Sequence, residues 1–360
     1  MSKKKTARID LIVHRVGEDM IHSARTDFNV AHAVNTTKAV LSSLGVARGV
    51  VESTLIDTRS MSNADLEGFG KDLAAALLSG EVTGLYSKTA SGCRIQLGIC
   101  VDDPLLKTVP WEFMFWPDLQ TAPHPHRCVA RLVPGTDIKP LPPLKLTSGG
   151  RVLLAVAAPT NQPNVDWIET EADMKRIFAA NTNDTDLKSI DFRLVEAATA
   201  DALRKAVQNF DPHIVHFIGH GRPDGLWFLK HRSNAGSVVP TSMLRNVLAS
   251  DSTRLVVLSA CDTANVGTDI APLIPLAERL VRGGIPAVVA NQMPMSLRSV
   301  ATFCAALYSD LLQEGDVDWA VNNGRIAVGV AYANVNAATV EWGVPVLYRR
   351  PGCSQLFTAG

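Results

Sequence analysis

Two short segments of the sequence carry residue types that could perform nucleophilic chemistry. Residues 214–225 read IVHFIGHGRPDG, an apolar run that ends with His220 between two glycines, and residues 258–263 read LSACDT, which puts Cys261 at the end of another apolar run. A thiol near its free pKa of about 8.5 is only a few per cent thiolate at neutral pH, and a nearby imidazole can take its proton or stabilise the anion. The two segments therefore predict a catalytic dyad of His220 and Cys261.

Backbone groups beside this dyad could stabilise the reaction. Gly221 has no side chain to block a substrate carbonyl, so its N–H and the N–H of Cys261 are the predicted oxyanion hole. Asp262 has two interpretations: it lines the pocket for the residue before the scissile bond and favours a basic side chain there, or it caps the following loop or helix. His216 within the first segment and His213 just before it are interpreted as packed or turn residues.

Other interpretations of the first segment compete with the dyad. GHGRPDG has glycines spaced as in a phosphate-binding loop, but a dinucleotide fingerprint opens directly into a helix, whereas this stretch leads into the strand-like LWFLK (226–230). A structural turn, or an interaction module that keeps the fold without catalysis, is also compatible with the pattern. Cys261 without a partner would be an ordinary buried thiol.

The elements that must position these residues follow an alternating pattern from about residue 150. Short runs rich in Val, Ile and Leu alternate with stretches of helical period, which indicates a parallel sheet flanked by helices on both faces. Groups at the carboxyl ends of such strands converge, and the strands before His220 and Cys261 are predicted to be neighbours, roughly 4.8 Å apart. The predicted strands are RVLLAVAAP (151–159), DFRLVE (191–196), HIVHFIG (213–219), RLVVLSAC (254–261), IPAVVAN (285–291) and VPVLYR (344–349).

Helices are predicted between these strands. Asp166 is the predicted N-cap of one helix with the apolar stripe Met174, Ile177 and Phe178, and Thr199 is the predicted N-cap of the next. Further helices are predicted near 240–250, 270–282, 296–313 and 317–333. The predicted organisation is a mixed α/β N-terminal region (1–133), a Pro- and Gly-rich linker (134–150), a catalytic domain (151–350) and a C-terminal tail (351–360). Within the first region the pattern predicts a helix near 63–79 and a strand at 93–101.

HFIGHG followed about forty residues later by LSACDT resembles the CHAT family of caspase-like cysteine peptidases, relatives of caspases and separase. The resemblance covers roughly residues 60 to 350, and it places the family's catalytic histidine on His220 and its nucleophile on Cys261. Ser259, Asp262 and Thr263 differ from the caspase form of the nucleophile motif, so a preference for cleaving after aspartate is not implied. The segments that follow the family's order are PWEFMF (110–115), RVLLAVAAPT (151–160), the helix with Glu169, DPHIVHFIGHG (211–221), RLVVLSACDT (254–263), RGGIPAVVANQMPM (282–295) and WGVPVLYRR (342–350).

The resemblance also carries expectations about biology. It implies a caspase-like α/β fold and a prokaryotic enzyme that stays latent until a partner or signal activates it, in a pathway of antiviral defence or cell death whose substrate is another protein. Many family members carry helical repeats that recruit a partner, and this chain has none, so a separate activator or recruiter protein is expected.

Composition narrows the remaining classes. The 360 residues are 46% hydrophobic, and 35 basic residues balance 35 acidic ones, so nothing in the overall charge favours nucleic acid or an anionic membrane. The six cysteines form no CxxC motif, and His124 and His126 lie in a proline-rich stretch with no carboxylate cluster nearby, so neither a disulfide scaffold nor a metal site is predicted. We expect a soluble, cytoplasmic protein with no membrane segment that needs no metal or organic cofactor.

Overall fold

A computed structural model shows two compact units, one formed by residues 1–132 and 325–344 and the other by residues 133–324 and 345–360. The boundary between them lies inside a helix, after Gly324. The structure describes residues 5–16, 19–26, 30–33, 63–107, 109–119, 122–135, 139, 141–147, 149–157, 190–222, 224–231, 233, 235–260, 273–292, 295–331 and 340–359.

Unit 1 contains strands joined in the order β3–β2–β1–β4–β5, in which β1, β4 and β5 are parallel neighbours and β2 and β3 run antiparallel. Its buried ion pair joins Arg131 of β5 to Glu112, with the guanidinium Nη2 2.7 Å from the carboxylate Oε2. The described elements are β1 (Thr6–Val16), β2 (Asp19–Thr26), β3 (Val30–Ala33), α1 (Asn63–Leu77), α2 (Glu81–Ala90), β4 (Arg94–Val101), α3 (Pro104–Lys107), a 3-10 turn (Trp111–Phe113) and β5 (Arg127–Leu132). A second 3-10 turn (Glu341–Gly343) also belongs to this unit.

Unit 2 contains the predicted parallel sheet. Its main elements are β6 (Leu144–Leu146), β7 (Gly150–Val156), β8 (Ile190–Val195), α4 (Ala200–Phe210), β9 (Ile214–Gly219), β10 (Gly221–Arg222), β11 (Gly225–Leu229), β12 (Gly236–Pro240), α5 (Thr241–Leu248), β13 (Leu255–Ala260), α6 (Leu273–Arg282), β14 (Ala287–Asn291), α7 (Leu297–Glu314), α8 (Val317–Ala331), β15 (Pro345–Arg349) and β16 (Phe357–Ala359). The strand order is β15–β14–β13–β9–β7–β8, and every neighbouring pair is parallel except β14 with β15.

Helices cover both faces of this sheet. On one face, alternate strand residues such as Phe217 and Leu258 pack with the apolar sides of α4, α5 and α6 in one core. On the other face, Tyr308 of α7 contacts His216 of β9, and Asp318 of α8 forms a buried ion pair with Arg349 of β15. The α/β class with a largely parallel sheet between two helical layers is therefore confirmed.

Most predicted elements of unit 2 are present within a few residues of their predicted limits. Thr199 caps α4, since its hydroxyl accepts a hydrogen bond from the N–H of Ala202 at 3.1 Å. The helix predicted after Asp166, with its stripe Met174, Ile177 and Phe178, and Glu169 lie outside the described residues. Helix α2 and strand β5 were not predicted from the sequence. A short strand, β6, lies inside the predicted linker and pairs in parallel with β16.

Candidate active site

The carboxyl ends of β9 and β13 lie side by side. The two strands pair in parallel over six residues, from Leu255 opposite Ile214 to Ala260 opposite Gly219. His220 directly follows Gly219, and Cys261 directly follows Ala260 in the sequence. The prediction that these two strands are neighbours is confirmed, and the register ends both at the same level. Cys261 and Asp262 themselves lie outside the described residues.

His220 lies at the point where the sheet ends and a hairpin begins. Its side chain is buried, and its carbonyl accepts a hydrogen bond from the N–H of Trp227 at 3.0 Å. This bond makes His220 and Trp227 a hydrogen-bonded pair of the antiparallel ladder, so the next pair, Gly221 with Leu226, is of the non-bonded type. The N–H of Gly221 therefore points away from β11.

Gly219 is required by close packing at the strand end. A Cβ at this position would lie 2.9 Å from the carbonyl oxygen of Ala157 and equally close to the ring of Phe217. Any side chain would push β9 away from β7 just before His220. Gly219 is therefore needed because the ends of β9 and β7 pack closely together. This packing explains the glycine without a bound phosphate.

The glycine-rich segment beyond His220 forms a hairpin. Arg222 pairs with Gly225, and β11 continues into a three-stranded antiparallel sheet with β12. The carbonyl of Asp224 accepts hydrogen bonds from both the N–H and the hydroxyl of Thr241, each at 2.9 Å, which attaches the turn to the start of α5. The segment does not open into a helix, so the geometry of a dinucleotide-binding loop is not present here.

His216 lies four residues before His220 but is in a different environment. Its ring is completely buried, with Nε2 2.8 Å from the hydroxyl of Ser259 and Nδ1 2.7 Å from the hydroxyl of Tyr308. Burial lowers the pKa of His216 to about 3, so the ring is neutral at physiological pH. A ring held at both nitrogens cannot collect a proton from a nucleophile, and the packed role predicted for His216 fits this geometry. Its link to Ser259 was not predicted.

The described cysteines other than the predicted nucleophile are in surroundings that suppress reactivity. Burial raises the pKa of Cys304 to about 12, and burial likewise raises the pKa of Cys353 although Arg350 and Arg349 oppose the shift. Cys100 and Cys128 are also buried, and Cys93 is half-buried. The thiols of Cys304 and Cys353 therefore stay protonated near neutral pH.

A further polar side chain lies at the same edge of the sheet. Asn291 ends β14, whose residue Ala290 pairs with Leu258 of β13, so Asn291 is level with Ser259. It is 7% exposed, and its amide Nδ2 has no hydrogen-bond partner among the described residues. Asn291 was not among the predicted site residues, although its place at the end of a buried strand in the predicted sheet was a usable signal.

Within the described ranges, no group of three or more His, Cys, Asp or Glu side chains is arranged to hold a metal ion. His124 and His126 contact each other edge to face, with ring centroids 5.4 Å apart, and the main-chain N–H of His126 donates to Nδ1 of His124. None of the described helices combines the length and the hydropathy that a membrane crossing requires.

Comparison with known proteins decides the family. The model of the CHAT domain matches residues 68–348, which is well over half of the chain. The chain belongs to the CHAT-domain family. No curated protein matches the sequence of this CHAT domain significantly.

Solved structures show what the CHAT fold of this chain is similar to. Separase in the separase–securin complex of Saccharomyces cerevisiae superposes with a TM-score of 0.52 at 12% identity over 96% of this chain, which spans 30% of the separase chain. The Arg-specific cysteine proteinase gingipain R has a TM-score of 0.44 at 11% identity, covering 82% of this chain and 68% of its own. The similarity to separase confirms the caspase-like α/β fold implied by the sequence resemblance.

Proposed function

We propose that this protein is a cysteine endopeptidase that cleaves a partner protein with a dyad of Cys261 and His220. The observation that carries the proposal is the parallel register of β9 and β13, whose last paired residues, Gly219 and Ala260, directly precede the two dyad residues. Membership of the CHAT family and the caspase-like fold support it. The remaining histidine of this strand, His216, is excluded as the base because both its ring nitrogens are held by hydroxyl groups.

The proposed reaction is acyl transfer through a thioester. His220 takes the thiol proton, the sulfur of Cys261 attacks the peptide carbonyl carbon, and the N–H groups of Gly221 and Cys261 stabilise the oxyanion. The C–N bond then breaks as the His220 imidazolium donates its proton to the leaving amine. In the second half, His220 removes a proton from water, the hydroxide oxygen attacks the thioester, and the thiolate leaves with release of the new carboxyl terminus.

The direction of the Gly221 N–H supports its part in this scheme. The hydrogen bond from Trp227 to the His220 carbonyl turns this N–H away from the hairpin. An oxyanion donor must be aimed before the reaction begins, because reorientation during the reaction would cost part of the stabilisation. The attachment of the hairpin turn to Thr241 of α5 fixes that aim.

The choice of substrate and the control of activity form the rest of the proposal. Asp262 supplies a negative charge beside the nucleophile, so a basic side chain before the scissile bond is the proposed preference. The activity is proposed to be latent until a separate protein or signal arranges the loops that admit the substrate, with the dyad already paired at the strand ends, in a prokaryotic pathway of antiviral defence or cell death. An assay must therefore not depend on turnover alone.

The test measures the thiol itself and then cleavage. Alkylation of Cys261 by iodoacetamide, followed by peptide mass spectrometry from pH 5 to 9, should be faster near neutral pH than that of the half-buried Cys93. His220→Ala should slow it by about 10- to 30-fold, because a thiol at its free pKa is only a few per cent thiolate there. His231→Ala, which removes an exposed histidine, is the matched control and should leave the rate unchanged. Candidate partner proteins are then incubated with wild type and Cys261→Ala, and cleavage that persists in Cys261→Ala would refute the nucleophile assignment.

A further inference from the structure

A chain of three side chains connects the two strands of the candidate site to a helix. Tyr308 of α7, His216 of β9 and Ser259 of β13 are joined through the two nitrogens of the imidazole, at 2.7 Å and 2.8 Å. Tyr308 and His216 are fully buried, whereas Ser259 is partly exposed near the edge of the sheet. We call these three residues the strand-end chain.

The strand-end chain crosses β9 and β13 diagonally. In the backbone ladder His216 lies opposite Val257, and Ser259 lies opposite Ile218, so the side-chain bond joins residues two positions apart in the register. Backbone hydrogen bonds already fix the pairing of the strands, and a diagonal bond adds resistance to sliding and twisting. This diagonal bond lies close to the dyad positions, because Ser259 is two residues before Cys261 in the sequence.

The hydrogen-bonding groups of the strand-end chain are satisfied, and its aromatic ring is packed against its neighbours. A neutral imidazole offers one donor and one acceptor, and each hydroxyl can take the complementary role, so both ring nitrogens are satisfied together. The ring of Tyr308 also packs near Phe192 of β8, with centroids 6.1 Å apart, and near the His216 ring at 6.2 Å. Hydrogen bonds in such a buried place are stronger than in water, and an unsatisfied partner is costly.

We propose that Tyr308, His216 and Ser259 are positioning residues that hold the carboxyl ends of β9 and β13 so that His220 and Cys261 are aligned for proton transfer. This inference rests on the proposed dyad. Proton transfer requires donor and acceptor within hydrogen-bond reach, and a displacement of about 1 Å can cost 10²-fold in rate. The rate should therefore depend on the side chains that set the alignment as well as on the side chains that react.

The proposal predicts which substitutions should matter and how they should combine. Ser259→Ala and Tyr308→Phe each remove one hydroxyl from the chain, and each should slow alkylation of Cys261 at pH 6.5 by about tenfold. Because both act through His216, the double variant should be no slower than about the slower single variant. Ser259→Thr keeps a hydroxyl and should stay within about twofold of wild type.

The control separates positioning from general loss of stability. Tyr86→Phe, in unit 1, also removes a buried tyrosine hydroxyl, one that is bonded to Arg127 at 3.0 Å, and it should lower thermal stability without changing the alkylation of Cys261. The decisive readout is coupling to His220. His220→Ala should slow alkylation strongly in wild type but only slightly in the Ser259→Ala background, because the alignment on which His220 depends is already lost.

Two failures are distinguishable. If His220→Ala slows alkylation but Ser259→Ala and Tyr308→Phe remain within twofold of wild type, or if their effects multiply, only the positioning proposal is refuted. If His220→Ala leaves the rate unchanged, the dyad itself is wrong and the positioning proposal is refuted with it.

Discussion

Two buried histidines should make the stability of unit 2 depend on pH in a calculable way. Burial, reinforced by the nearby charge of Arg151, lowers the pKa of His213 to about 4, and burial lowers the pKa of His216 to about 3. In the unfolded chain both rings have a pKa of about 6.5. Between these values the unfolded state binds more protons than the folded state, so the free energy of unfolding must fall as the pH is lowered from 6.5 towards 4.

The size of the effect follows from the same shifts. Each histidine contributes a slope of about 1.4 kcal/mol per pH unit once the pH is well below 6.5, so together the two should cost about 4 kcal/mol between pH 7 and pH 5. His213→Gln removes one of the two groups and should reduce this loss by about half. The exposed His231 provides the matched control, His231→Gln, which should leave the loss unchanged.

Urea unfolding followed by circular dichroism at pH 7, 6 and 5 measures the loss, with the slope against urea checked for constancy. His213 also accepts a hydrogen bond from the N–H of Arg151 at 3.1 Å, so His213→Gln should lower stability at every pH. Only the pH dependence therefore tests the reasoning. An equal loss between pH 7 and pH 5 in wild type and His213→Gln would refute it.

Two further predictions concern packing and charge. Asp318→Asn leaves the fully buried guanidinium of Arg349 without its carboxylate partner, whose Oδ1 is 2.6 Å from Nε, and should lower the free energy of unfolding by about 3–5 kcal/mol in urea. Replacing both residues by Met and Leu should cost less. A loss below about 1 kcal/mol for Asp318→Asn would contradict the prediction. Gly225→Ala places a Cβ 2.2 Å from the carbonyl oxygen of Val239 in β12 and should destabilise unit 2 by at least about 1–3 kcal/mol. Gly68→Ala, in an open position of α1, should stabilise the protein by ~0.5–1 kcal/mol. Equal effects of the two substitutions would show that the close contact at Gly225 does not determine the loss of stability.

The parallel sheet was predictable because its strands are buried on both faces and so appear in the sequence as continuous apolar runs. HIVHFIG and RLVVLSAC are such runs, and the order of elements between them made adjacency the favoured arrangement, which the register confirms. Strand β5 escaped prediction because it carries Arg127 and Arg131, which interrupt the apolar pattern. These arginines are buried only because Glu112 and Asp118 pair with them, and pairing across distant segments leaves no periodic signal.

The same limit applies to the candidate site. The proposal of His220 as a site residue depends on local features, because this histidine ends an apolar run and is followed by a glycine. Ser259 was noted only as a departure from the caspase motif. The hydrogen bond between Ser259 and His216 depends on the diagonal pairing of two strands. The hydrogen bond between His216 and Tyr308 depends on a helix that places Tyr308 92 residues after His216 in the chain. Contacts of this range follow from the register and the packing of α7, which the pattern of residue types does not specify.

The two histidines of IVHFIGH lie in different environments, and the roles proposed for them differ accordingly. His216 is inside the sheet, where burial keeps the ring neutral and two hydroxyl groups occupy both nitrogens, so its proton affinity is too low for base catalysis near neutral pH. His220, four residues on, is past the last backbone pair of β9, and its carbonyl accepts a hydrogen bond from Trp227 of the hairpin instead. The proposed general base is therefore the histidine at the strand end, and not the one that two hydroxyl groups hold inside the sheet. Under the proposed dyad, exchanging the environments, for example by extending β9 beyond Gly219, should abolish the effect of His220 on the alkylation rate of Cys261 even with both histidines retained.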